Sequence, residues 1–126
     1  MFYLFIAVNN KALSEMYSLT TLPTHETLKD TIERAVPYLK QHIVPEIQSG
    51  KRIMVVAHGT SLRGLVKHIE NLSQEDVVKL NLPTGIPFVY DLDRETLSPI
   101  KTRKYLADDK TVEAAVKKVA SIGLKT

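Results

Sequence analysis

Between His25 and Ser49 the apolar residues Leu28, Ile32, Val36, Leu39, Ile43 and Ile47 recur at spacings of four, four, three, four and four. That interval places side chains on one face of an α-helix. Pro37 and Pro45 interrupt the stripe, and each removes a backbone donor and crowds the preceding turn, so the pattern predicts two helical pieces joined with a kink. Thr24 is the expected N-cap; Thr27 stands three residues on in place of Glu or Gln, so no capping box is expected. After Ser49-Gly50 the pattern changes. Ile53-Met54-Val55-Val56-Ala57 is continuously apolar without alternation, which marks a strand buried on both faces. His58-Gly59-Thr60-Ser61 follows, then Leu62, Leu65, Val66 and Ile69 return to helical spacing.

The succession helix, strand, tight turn, helix predicts an α/β domain with a parallel sheet and Ile53 to Ala57 as its central strand. Ser73, with Glu75 and Asp76 behind it, opens a short helix that stops before Pro83. Ile86 to Asp93 reads as a second strand and Ile100 to Leu106 as a third. Asp108 or Asp109 starts a last helix carrying Val112, Ala115, Val116 and Val119, with Gly123 as its C-cap. The apolar opening Phe2 to Val8 has strand composition.

Length and charge narrow the function. With 126 residues the chain has the size of one domain. Seventeen Lys plus Arg against fourteen Asp plus Glu leave +3, spread along the chain. With only 6% aromatic residues, that pattern argues against nucleic-acid binding. No cysteine is present, so disulfides, thiolate metal sites and thiol nucleophiles are excluded. The four histidines have no helical metal-site spacing beside acidic ligands, and no metal is expected. Phe2 to Val8 is too short to cross a membrane and lacks the basic start of a signal peptide. A cytoplasmic, unanchored protein is expected.

The chemistry concentrates at Ala57-His58-Gly59-Thr60-Ser61. Ligands of open parallel sheets bind beyond the carboxyl ends of strands, where His58 is placed. The helix that follows turns free N–H groups and the positive end of its dipole towards the same place. Gly59 lets an anion approach the backbone, and Thr60 and Ser61 add hydroxyl donors, so a phosphoryl group is the natural ligand. The architectural reading stands beside it: Gly59 makes the turn, Ser61 caps the helix and His58 merely ends a strand. Arg63 reads as a solvated or ion-paired side chain, His68 and His42 as helix-surface residues, and His25 as a neighbour of the cap. Leu82 to Pro87 reads as a rigid turn that launches the strand at Phe88.

Four stretches occur together in order: Glu26-Thr27-Leu28-Lys29-Asp30-Thr31-Ile32, Ile43-Val44-Pro45, Ala57-His58-Gly59-Thr60-Ser61-Leu62-Arg63-Gly64, and Asn81-Leu82-Pro83-Thr84-Gly85-Ile86-Pro87. Through them the chain from Glu26 to about Gly123 resembles the C-terminal half of the cofactor-dependent phosphoglycerate mutases, members of the histidine phosphatase superfamily. The resemblance implies a partial three-layer α/β fold, with a mostly parallel sheet flanked by helices. It divides the chain into a divergent segment, 1–23, and a mutase-like C-terminal half, 24–126. It implies interconversion of 3- and 2-phosphoglycerate in glycolysis, primed with 2,3-bisphosphoglycerate. His58 would be the second catalytic histidine, stabilising the transferring phosphoryl group, and Gly59 and Thr60 would bind the phosphate. The family usually has Asn where this chain has Thr60, which keeps a hydroxyl donor and loses an amide.

The resemblance also shows a gap. The family's nucleophilic histidine lies in an Arg-His-Gly-Glu motif, and the only His-Gly here is His58-Gly59, preceded by Ala57. The glutamate proton donor and substrate-clamping arginines of the family belong to the same unmatched half. Two functions follow as alternatives: a mutase-family enzyme whose chain is truncated, or a non-catalytic half-domain that binds a phosphoglycerate-type anion. The partners expected are that anion and either a second copy of the chain or a full-length mutase, met through an exposed sheet edge.

Overall fold

The stripe that begins at Leu28 forms a helix, but the cap lies one turn later than expected. The structure, a computed structural model, describes residues 26–122; Thr24, His25, Phe2 to Val8 and Gly123 lie outside them. Helix α1 is Leu28–Tyr38, capped by Thr27. The Thr27 hydroxyl accepts from the Asp30 N–H at 3.2 Å, and the Thr27 N–H donates to the Asp30 carboxylate at 2.8 Å. This is a reciprocal capping box. The expectation of a cap at Thr24 without a box is therefore corrected: Asp30, one methylene shorter than Glu, closes the same ring.

The stripe falls into two α-helical pieces, as expected, joined through a π-helical turn. Between them Leu39–Ile43 forms a π-helical turn, and α2, Val44–Gln48, continues from it. Pro37 and Pro45 have no N–H for a carbonyl one turn back, and the wide turn absorbs the extra residue. It keeps Leu39 and Ile43 on one side, both buried. Helix α3 is Gly59–Glu70 and α4 is Gln74–Lys79. Ser73 caps α4 as expected, accepting from the Asp76 N–H at 3.0 Å. The last helix, α5, is Asp109–Ile122, and the Asp108 carboxylate accepts from the Thr111 N–H at 3.0 Å.

Helix α1 packs mainly on α3. Leu39, Ile43 and Leu65 form the central cluster, joined by Ala35, Val44, Ile47, Ile53, Val55 and Ile69. Gly64 is the point of closest approach. A Cβ built on it would stand 2.9 Å from Ile32 Cγ1 and 3.6 Å from Ile32 Cα, so the helices meet here only because position 64 has no side chain. Gly64→Ala gains up to about 1 kcal/mol of helix propensity but overpacks the contact by about 1–3 kcal/mol. The expected result is a net loss of roughly 1–2 kcal/mol, read from urea unfolding; a stabilised variant would show that the helices separate freely.

The described strands are short and antiparallel. Strand β1, Phe88–Val89, pairs with β2, Lys104–Tyr105, in the register Phe88 to Tyr105 and Val89 to Lys104. An isolated bridge joins Leu92 to Pro99. The second and third expected strands thus form one irregular hairpin. Thr84 and Gly85 form the turn that leads to it, and Gly85 takes φ +77°, a conformation open chiefly to glycine.

Ile53 to Ala57 departs furthest from expectation. It is not a strand, and no backbone hydrogen bond joins it to a neighbour among the described residues. Ile53 and Val55 pack on the central cluster, whereas Val56 is 39% exposed and Ala57 is exposed. A strand exists only where another lies alongside to take its N–H and C=O groups, and none of the described elements does. The non-alternating sequence is written for cover on two faces, and the described residues supply one.

A second unforeseen feature ties the hairpin to α3. Tyr90 donates its hydroxyl to the Glu70 carboxylate, and the Arg103 guanidinium lies 3.3 Å from that carboxylate. Burial first, then the bond to Glu70, push the Tyr90 phenol well above its ordinary pKa of 10.0. The folded state therefore holds the proton that the unfolded chain releases. The stability this contributes is complete below about pH 10 and is lost as pH rises beyond it. Wild type should lose urea resistance between about pH 9 and pH 11 more steeply than Tyr90→Phe; parallel slopes would mean the cluster carries no such linkage.

Candidate active site

His58 stands beside a helix N-terminus, as expected, but that helix begins with Gly59 and not near Ser61, and no strand among the described residues precedes it. Its backbone is extended, at φ −61° and ψ 148°, and its carbonyl accepts from the Leu62 N–H at 3.0 Å, starting α3. The imidazole serves as the cap: Nδ1 accepts from the Thr60 N–H at 3.3 Å. An Nδ1 that accepts a hydrogen bond leaves the ring proton of neutral histidine on Nε2, so the geometry assigns Nε2 as a donor. The architectural reading gave the cap to Ser61; the cap is His58.

The groups around it suit an anion. The N–H groups of Gly59 and Ser61 belong to the first turn, where an α-helix has no internal acceptors, and neither finds one among the described residues. Nothing lies within 4 Å of a Cβ built on Gly59, so the backbone there is open to a ligand. His58 and Gly59 are exposed, and Thr60 and Ser61 half-buried. Free N–H groups, the positive end of a three-turn dipole and an imidazole N–H thus occupy the same five residues.

Arg63 does not join them. Its Nη2 donates to the carbonyls of Val77 at 2.7 Å and Val78 at 3.1 Å, where it satisfies the last turn of α4. The side chain expected to be solvated or ion-paired is instead a tie between α3 and α4. Lys67 is similarly engaged, with Nζ 2.6 Å from the Leu72 carbonyl beyond the C-terminus of α3. His68 and His42 are exposed as expected; His42 stacks on Tyr38 at 4.7 Å between ring centroids. Partial desolvation of its ring, and secondarily Lys40, lower the His68 pKa. A shallow groove between α1 and α3 is lined by Ile32, Val36, Lys67, His68 and Asn71 among others. Its α3 residues belong to the end of the helix away from His58.

No group of three or more acidic, histidine or cysteine side chains suited to a metal ion occurs among the described residues. No described helix is long and apolar enough to cross a membrane. The ties made by Arg63 and by Glu70, Tyr90 and Arg103 were missed in the sequence. Their partners lie fourteen or more residues apart, with no periodicity to announce them.

Comparison with known proteins identifies the family. The profile of the histidine phosphatase superfamily, branch 1, matches residues 9–98. The chain belongs to that superfamily, and its fold class is accordingly α/β. It is 53% identical over 102 residues to a 2,3-bisphosphoglycerate-dependent phosphoglycerate mutase of Borrelia garinii subsp. bavariensis, a match covering 81% of this chain and 40% of that protein. It is 55% identical over 102 residues to the protein of the same name from Borreliella afzelii, with the same coverage of both chains. The chain thus spans about two-fifths of the length of these histidine phosphatase relatives.

Proposed function

We propose that this chain is the C-terminal share of a phosphoglycerate mutase-type domain and that His58, Gly59 and Thr60 hold the phosphoryl group of a phosphoglycerate-type anion. The single observation that carries the reading is the His58 cap. Its bond from the Thr60 N–H fixes the imidazole at the helix terminus and assigns the second ring nitrogen as a donor. In a mutase-type reaction these residues would stabilise the charge on a phosphoryl group in transit, a task of positioning and electrostatics. Interconversion of 3- and 2-phosphoglycerate also needs the nucleophile that the matched region does not include, so the proposed role of these residues alone is binding.

The fold reading extends in the same direction. In a complete three-layer domain Ile53 to Ala57 would take its place in a mostly parallel sheet, with His58 at the carboxyl end. The name of the relatives brings in 2,3-bisphosphoglycerate, and the residues present suit one of its phosphoryl groups. Its second phosphate and its carboxylate would call for further cations, and Arg63, the basic residue nearest His58 in sequence, is committed to the Val77 and Val78 carbonyls. A single phosphoryl group is what this site fits.

The test is an amide NMR titration of the full chain with inorganic phosphate, then with 3-phosphoglycerate. Gly59, Thr60 and Ser61 should shift together and saturate. His58→Ala should weaken binding at least about tenfold, the loss of one hydrogen bond to a charged group worth ~1.5 kcal/mol. Shifts spread evenly over lysine-rich surfaces, unchanged in His58→Ala, would refute the site.

A further inference from the structure

We propose that the groove between α1 and α3 is a second binding site, separate from His58, for a small amphiphilic anion: an apolar body with one carboxylate head. The inference rests on the groove alone and not on phosphate binding at His58.

The groove lies where two packed helices part. Ile32 meets Gly64 at the point of closest approach, and it also lines the groove. Val36 and the Pro37 ring continue the α1 wall, and Lys67, His68 and Asn71 form the α3 wall opposite. The space measures about 350 Å³, within the range of sites that take small ligands. His68 stands nine residues after Gly59 on the same helix, about 14 Å along its axis, so the groove is a different place from the helix terminus at His58.

The two walls differ in chemistry, and the difference selects the ligand. Ile32, Val36 and Pro37 suit a hydrocarbon body. The α3 wall carries cations and donors. Lys67 Nζ gives one N–H to the Leu72 carbonyl at 2.6 Å and keeps two for another acceptor. Lys40, on the π-helical turn, lies near enough to His68 for its ammonium to oppose protonation of the ring. Asn71 ends α3 at φ 52°, a left-handed conformation that asparagine tolerates, and adds an amide donor to the same wall.

Glu33 is the acid on the lining, and its charge is offset, with Lys29 Nζ 3.8 Å from its carboxylate. An anionic head set among Lys40, Lys67 and His68 relieves the repulsion between like charges and favours the protonated ring. Inorganic phosphate satisfies only these groups and leaves the apolar wall wet. A carboxylate on a short hydrocarbon body satisfies both walls.

The test is an NMR titration of the full chain at pH 7 with octanoate as the probe, and with octylamine and inorganic phosphate as controls. Octanoate should shift the amides of Ile32, Val36, His68 and Asn71 together and saturate with a Kd of about 1–10 mM, the affinity of roughly ten non-hydrogen atoms at ordinary ligand efficiency. With octanoate bound, the His68 ring should titrate at higher pH. Octylamine should do neither. The double variant Lys40→Glu with His68→Glu, at two exposed positions, should weaken octanoate at least about tenfold and leave the circular dichroism unchanged.

Failure to saturate, equal shifts with octylamine, or unchanged affinity in the double variant would each overturn the proposal. So would shifts confined to residues 59–61, which would put the ligand at the helix terminus. Saturation that appears only after removal of residues 1–10 would overturn it too, because the start of the chain would then be the occupant. Inorganic phosphate should leave the groove amides unmoved, so failure here and failure at His58 are read separately.

Discussion

Leu65→Ala is expected to cost about 2–5 kcal/mol of unfolding free energy, the range for removing a buried leucine whose surroundings relax only in part. Leu65 joins α3 to the π-helical turn through Leu39 and Ile43. The cluster is small, and whole-domain stabilities run only about 5–15 kcal/mol, so the variant should be largely unfolded at temperatures the parent tolerates. Val56→Ala removes two methyl groups from a position 39% exposed and should cost well under half as much. Urea unfolding of the two variants side by side is the measurement. Similar losses from both would mean that Leu39, Ile43 and Leu65 are not the core and that Ile53 to Ala57 is buried on both sides in the lone chain.

The same contrast explains what the sequence made legible. Local rules served well wherever both partners lie within a turn of each other. Ser73 with Asp76, the helical spacing of Leu62, Leu65, Val66 and Ile69, and the prolines that open a π-helical turn are all short-range effects. Thr27 was missed because the capping-box pattern sought Glu or Gln at the third helical position. Asp30 makes the same bond from a shorter side chain, helped by the hydroxyl-to-carboxylate bond between Thr27 and Asp30 at 2.6 Å. Arg63 looked solvated because its acceptors, the last carbonyls of α4, become neighbours only when α3 and α4 pack.

Ile53 to Ala57 fails for a different reason. Its composition reports the surroundings for which it was selected, and the described residues provide half of them. The placement of His58 at a helix N-terminus is unaffected, because it depends on one boundary, the passage from apolar run to helix, and not on whether the run is paired. A helix terminus with a glycine and an imidazole is a local construction, so it was readable; the sheet that would bring a nucleophile to it is long-range, so it was not.

That distinction sets the catalytic expectation. The purified chain should show no mutase turnover, and incubation with 2,3-bisphosphoglycerate should leave no phosphohistidine. Holding a phosphoryl group and accepting one are separate tasks: the first needs donors around its oxygens, and the second needs a nitrogen lone pair in line with the bond that breaks. On His58 the Nδ1 lone pair accepts from the Thr60 N–H, which assigns the proton of a neutral ring to Nε2. In the geometry observed neither nitrogen offers a free pair. The sequence contains no second His-Gly to supply one. Catalytic groups that act as a unit lose nearly everything when one is removed, so under the proposed role His58 alone would bind a phosphoryl group without transferring it. Intact-mass analysis after incubation, with a coupled mutase assay on the same sample, reads both halves of the expectation. A stable adduct of one phosphoryl group mapped to His58 would overturn it, because the imidazole would then have to leave its cap, turn a lone pair outward and act as the nucleophile itself.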